Sequence, residues 1–195
     1  MLSELLASLR AKLLTTSSLA QETVRDGQTL TNGFFQSTVV DNTPAFVLNN
    51  DLARFLNFGE VETNGAPSAV SVEAEDVQVF NFRTGSIEAN GPDATGIEVT
   101  DGSSADIRNF GSVAGELNGV EFSGPHSSGT LDNFRGGVIS SDRRAVEIEG
   151  EGISVRNFGD IVGTDAQRNG TVYADGDRKS VGYGNREGRR GGPVN

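Results

Sequence analysis

From Gln21 to Tyr173 apolar residues alternate with polar ones in short runs, and no long stretch keeps a helical period. Runs of this kind, bounded by Gly, Asn, Asp and Ser, predict short strands. One such run ends in the dipeptide Asn-Phe, at Asn57-Phe58, Asn81-Phe82, Asn109-Phe110, Asn133-Phe134 and Asn157-Phe158. The spacings are 24, 28, 24 and 24 residues, and a further 24 back from Phe58 stands Phe34, in Asn32-Gly33-Phe34. Six of the eleven phenylalanines therefore share one lattice. Three residues before the later ones comes an apolar residue: Phe55, Val79, Ile107, Leu131 and Val155. A second alternating run recurs as Ala45–Leu48, Ala69–Val72, Gly96–Val99, Gly119–Phe122 and Ala145–Ile148, with a degraded copy at Asn169 to Tyr173. A third, shorter one follows each phenylalanine, as in Glu60-Val61, Ser86-Ile87, Ser112-Val113, Val138-Ile139 and Ile161-Val162.

Three very short strands cannot bury their apolar faces within one unit. They can if each unit is one coil of a parallel solenoid, with like residues stacked about 4.8 Å apart. The expected fold is all-β, a parallel β-helix of about six ~24-residue coils over residues 21–175. Phe34, Phe58, Phe82, Phe110, Phe134 and Phe158 are expected as a buried core ladder. Asn57, Asn81, Asn109, Asn133 and Asn157 are expected as a ladder at a bend, their amides bonded to one another and to turn backbone.

The ends have other patterns. Leu2, Leu5, Leu6, Leu9 and Leu13 repeat at helical spacing, with Glu4 early and Arg10 and Lys12 late, as the helix dipole favours. Residues 1–20 are therefore expected to carry an amphipathic helix that caps the open first coil. The same charges interrupt what would be the apolar region of a signal peptide. Residues 176–195 are rich in Gly and Arg and almost free of apolar residues, so a disordered tail is expected.

Charge and composition narrow the functions. A net charge of -11 argues against a nucleic-acid partner, because a polyanion is repelled before specific contacts form. Without cysteine there is no disulfide framework, thiolate zinc site or thiol nucleophile, and a single histidine disfavours a histidine-based triad. No apolar run approaches the length of a membrane-spanning helix.

Units such as Ile107-Arg-Asn-Phe-Gly-Ser-Val-Ala-Gly and Ile153-Ser-Val-Arg-Asn-Phe-Gly-Asp-Ile-Val-Gly resemble the coils of right-handed parallel β-helices in autotransporter passengers and filamentous adhesins. Thr23 to Gly33 is similar to the opening of such a passenger. The resemblance covers roughly Thr23 to Asp175 and implies a right-handed parallel β-helix from a bacterial surface or secreted protein. It departs from that family in having neither signal peptide nor β-barrel translocator among these residues. It says little about chemistry, since the same coil carries adhesins, lyases, hydrolases and inert stalks.

The resulting expectation is a non-enzymatic structural or adhesive segment, extracellular or on the cell surface, presenting an acidic rod. Its expected partners are carbohydrate or a host or cell-surface protein, with self-association through the C-terminal end of the helix. The alternatives are a carbohydrate-active enzyme, a lyase or hydrolase, or a piece of a phage fibre or tailspike. No catalytic residue and no cofactor is assigned. Glu98, Glu121 and Glu147 match in successive coils, so weak calcium binding is the expectation for a metal. Arg108, Asp132 and Arg156 form a column of alternating sign, which suits ion pairing between coils. His126 and Asp142-Arg143-Arg144 lie in turns, and the sequence supplies His126 with no orienting partner.

Overall fold

A computed structural model describes residues 22–23, 27–164, 172–174 and 180–183. For the first and the last two of these stretches only the backbone pairing is described. The expected cap helix in residues 1–20 and most of residues 176–195 lie outside the described residues.

The described chain is a parallel β-solenoid of about six coils built from three sheets. The asparagine sheet stacks Thr29–Asn32, Arg54–Asn57, Val77–Asn81, Ser104–Asn109, Ser128–Asn133, Ser154–Asn157 and Ser180–Tyr183. The glutamate sheet stacks Glu22–Thr23, Phe46–Leu48, Ser68–Val72, Thr95–Val99, Asn118–Phe122, Arg144–Ile148 and Val172–Ala174. The third stacks Ser37–Asp41, Glu60–Asn64, Ser86–Asn90, Ser112–Gly115, Val138–Ser141 and Asp160–Gly163. Between Thr29 and Gly163 no connection exceeds five residues. No described helix is long and apolar enough to cross a membrane.

Register keeps like residues in line. Leu30, Phe55, Val79, Ile107, Leu131 and Val155 pair in succession, all buried. Val70, Ile97, Val120 and Val146 do the same in the glutamate sheet, and Val61, Ile87, Val113 and Ile139 in the third. These columns form one continuous apolar core. Its driving force is the removal of roughly six rows of aliphatic side chains from water.

The core assignment of the lattice phenylalanines is corrected. Phe34 is 58% and Phe158 50% exposed, and Phe58, Phe82, Phe110 and Phe134 are half-buried. The reason is strand alternation: with Phe55 and Asn57 inward, Phe58 must point out. The inward place goes to the asparagine. Asn57, Asn81, Asn109 and Asn133 are fully buried, as their role at the bend requires. Asn32 starts the ladder, donating to Asn57 Oδ1 at 2.7 Å, and the chain continues Asn57 to Asn81 to Asn109 to Asn133 to Asn157 at 2.8–2.9 Å. Each donor amide also reaches the carbonyl that opens the third-sheet strand one coil on: Glu60, Ser86, Ser112, Val138 and Asp160, at 2.9–3.1 Å. At a corner the strand ladder leaves carbonyls that such donors satisfy, and phenylalanine has none to offer.

The turns after the asparagines alternate in length. Two residues separate Asn57, Asn109 and Asn157 from the next strand, and four separate Asn32, Asn81 and Asn133 from theirs. The short turns require Gly: a methyl built on Gly111 would overlap the carbonyl oxygens of Phe82 and Gly85 in the coil before. The tail reading is also revised in part. Ser180–Tyr183 pairs with Ser154–Asn157, with Val181 against Val155, so the lattice runs past Tyr173. The Asn-Phe mark is missing there, but the apolar column persists.

Candidate functional site

The outward phenylalanines form a surface ladder along the coil axis. Ring centroids lie 4.0 Å apart for Phe58–Phe82 and 4.2 Å for Phe110–Phe134, each pair within 6° of parallel. Phe82 and Phe110 stand 6.4 Å apart, still nearly parallel. Phe34 meets Phe58 at 4.9 Å but tilted 34°. Asn32 pairs with Asn57 across 25 residues, so Phe34 sits one residue beyond the column. Phe80, on the outer face of the asparagine sheet, joins the ladder 6.2 Å from Phe82.

Beside the ladder that outer face holds a shallow trough of about 620 Å³, lined among others by Leu52, Gln78, Asp106, Arg108, Thr130 and Arg156. Its charges are tied together. Asp106 accepts from Thr130 Oγ1 at 2.6 Å and from Arg108 at 2.7 Å. Arg156 grips the buried Asp132 with two donors. The expected alternating column is thus half right. Arg156 and Asp132 pair across coils, whereas Arg108 turns to Asp106 on its own strand and lies over Phe80, 5.2 Å from the ring centroid. Arg54 donates to Gln78 at 3.0 Å in the neighbouring coil. The sequence signal for this face was the run of polar and cationic residues at outward positions.

Glu98, Glu121 and Glu147 pair in register on the outer face of the glutamate sheet. Asn118 Nδ2 bridges Glu121 and Glu147 at 2.9 Å each, Thr95 donates to Glu121 at 3.0 Å, and Arg144 pairs with Glu147. Three groups on one ladder are collinear, with the outer two about two strand spacings apart, so they do not close on one ion. Among the described residues no three His, Cys, Asp or Glu gather in a metal-holding cluster. The calcium expectation is left with adjacent pairs alone.

Burial raises the Glu98 carboxyl above the usual glutamate range, and Glu121 beside it adds to the rise. Glu121 is raised too, by burial first and by Glu147 and Glu149, against hydrogen bonds from Asn118 and Thr95. A raised carboxyl pKa means that folding disfavours the charged form. The cost is full at neutral pH and is relieved as pH falls through the folded pKa. Glu121→Gln should therefore raise the melting temperature at pH 7, and this gain should shrink toward pH 5. Thermal melts of both proteins across that range check it, and a gain independent of pH would refute the strained ladder.

His126 does have a partner. Its Nδ1 lies 3.1 Å from Asp101 Oδ1, which also accepts the His126 backbone N–H at 2.8 Å. That backbone hydrogen bond leads the causes that hold the Asp101 carboxyl below its usual range. Asp101 precedes His126 by 25 residues, one coil, and the lattice offset could have found it. Both side chains are exposed, and the adjacent Ser127 hydroxyl is spent on the Gly124 carbonyl at 3.0 Å. The Asp142-Arg143-Arg144 trio is dispersed: Arg143 faces Asp93 at 3.4 Å, and Arg144 turns to Glu147.

Compared with known proteins, the chain matches no family model, no curated sequence and no solved structure.

Proposed function

We propose that this chain is a non-enzymatic, adhesive β-solenoid segment of a bacterial surface or secreted protein. The observation that carries this is the unbroken coil: no connection between Thr29 and Gly163 is long enough to wall a cleft. A flat ladder repeats one contact many times, which suits avid attachment to a polymer or surface better than it suits chemistry on one bond. The coil motif's resemblance to autotransporter passengers and adhesins supports the same setting, outside the cell.

The alternative, a carbohydrate-active enzyme, would draw on the trough, whose carboxylates are Asp76 and Asp106. Asp106 is already spent on Thr130 and Arg108, which leaves Asp76 by itself, whereas glycoside hydrolysis ordinarily takes a pair of carboxylates. The test is incubation of the chain with neutral and anionic polysaccharides, following new reducing ends and unsaturated ends. No release above the blank is expected. Release that disappears in Asp106→Asn or His126→Ala would overturn the non-enzymatic reading.

A further inference from the structure

Residues 27–164 contain seven arginines, no lysine and twenty acidic residues. Five of the arginines, Arg54, Arg83, Arg108, Arg135 and Arg156, sit on the asparagine sheet or in the turns that leave it. Two of the acids, Asp106 and Asp132, stand on those strands, paired with Arg108 and Arg156, and a third, Asp76, lines the trough beside them. Arg54, Arg83 and Arg135 have no carboxylate partner among the described residues. The remaining seventeen acids lie elsewhere in the same stretch, with only Arg143 and Arg144 beside them. The cationic strip is also the aromatic one.

Its spacing adds a constraint. Arg83 and Arg135 follow Phe82 and Phe134 in equivalent four-residue turns, closed by Gly85 N–H to Phe82 O and Gly137 N–H to Phe134 O. These long turns recur every second coil, so the two cations repeat at about 9.6 Å. In the first long turn Phe34 and Phe35 take the outward places. Phe35 is 78% exposed and holds φ +66°, a left-handed conformation that a bulky residue rarely adopts and that Gly136 takes in the third such turn. Aromatic area is exposed there against both burial and backbone preference.

We infer that this strip binds an extended anionic polysaccharide running along the coil axis, with one acidic group per disaccharide. This rests on the adhesive reading above and names its ligand class. The apolar faces of the sugar rings lie along the outward edges of the stacked phenylalanines. Carboxylates at disaccharide intervals meet Arg83 and Arg135, whose planar guanidinium groups suit bidentate pairing. A neutral glycan would leave these arginines without partners. The glutamates of a second copy could match this spacing, Glu98 and Glu147 being two strand spacings apart, but Glu147 is already held by Asn118 and Arg144. Acids on the other faces repel the polymer and confine it to the strip.

The test measures binding of the full chain to immobilised hyaluronan, which carries one carboxylate per disaccharide. Polygalacturonate, with one per sugar, and neutral dextran serve as comparisons. Hyaluronan should bind best and dextran not at all. The Arg83→Ala, Arg135→Ala double variant should lose at least about tenfold, as two charge-assisted pairs vanish. Arg143→Ala should bind as the parent does, and melting curves should show every variant folded. The inference is overturned if hyaluronan fails to bind at low salt, if the double variant binds equally, or if polygalacturonate binds as well as hyaluronan. Sedimentation velocity showing self-association that the double variant abolishes would assign the strip to a second copy instead. Binding with chain cleavage would sink the non-enzymatic reading and leave this one standing. Absence of binding would do the reverse.

Discussion

Asn109→Asp should destabilise the protein by about 3–5 kcal/mol at neutral pH, the range for an uncompensated buried charge. Asn109 is fully buried at the centre of the amide ladder. Its Nδ2 donates to Asn133 Oδ1 at 2.9 Å, to Val138 O at 3.1 Å and to Gly111 O at 3.2 Å. Its Oδ1 accepts from Asn81 at 2.8 Å and from the Gly111 N–H at 3.2 Å. An aspartate would turn an oxygen toward three acceptors. Protonation restores one donor, so the folded pKa of that carboxyl must lie above the unfolded value. The penalty is then full above the folded pKa and recedes as pH falls through it. Asn109→Ala removes the same bonds without adding charge. It should cost about 2–3 kcal/mol at every pH, the penalty for buried groups left unpaired. Urea denaturation of both variants and the parent at pH 7 and pH 4.5 makes the comparison. A difference between Asp and parent that stays below 1 kcal/mol and ignores pH would refute the ladder.

Phe122→Ala should cost about 3–5 kcal/mol, and Phe110→Ala about 0.5–1.5 kcal/mol. Phe122 has no exposed surface and lies in the apolar core, so its truncation leaves a cavity. Phe110 stacks 4.2 Å from Phe134 on the outside, where loss of the ring removes a stacking contact and some partial burial. Side-by-side chemical denaturation decides the order. The reverse order would return the lattice phenylalanines to the interior.

That contrast shows how far the sequence could be read. The 24-residue Asn-Phe lattice determines a coil, because only stacking lets units this small bury their apolar faces. Residue type then suggests phenylalanine inside, and residue type misleads. Parity held the better signal: Phe58 is an odd number of residues from Phe55 and Asn57, so a straight strand cannot bury it together with them. Which of the two sets turns inward depends on the corner. The amide goes in because five corner carbonyls at the starts of the third-sheet strands, from Glu60 to Asp160, accept from it.

Other features sat in the lattice without being readable in isolation. The matched positions of Glu98, Glu121 and Glu147 follow from spacing alone, and the structure keeps them adjacent. Their chemistry depends on Asn118 and Arg144, which enter from strand starts and occupy the carboxylates. His126 and Asp101 are one coil apart, but a pair of polar loop residues carries no periodic mark.

By itself, then, the sequence determined the repeat, the three strands per coil and which like residues share a column, since period-two alternation and constant spacing act along the chain. The tertiary structure alone decided which columns face the core, which charges pair, and that cations and aromatic rings gather on one strip. Those outcomes are set between coils, where a corner carbonyl's need for a donor outweighs the apolarity of a ring and where side chains about 4.8 Å apart compete for the same partners.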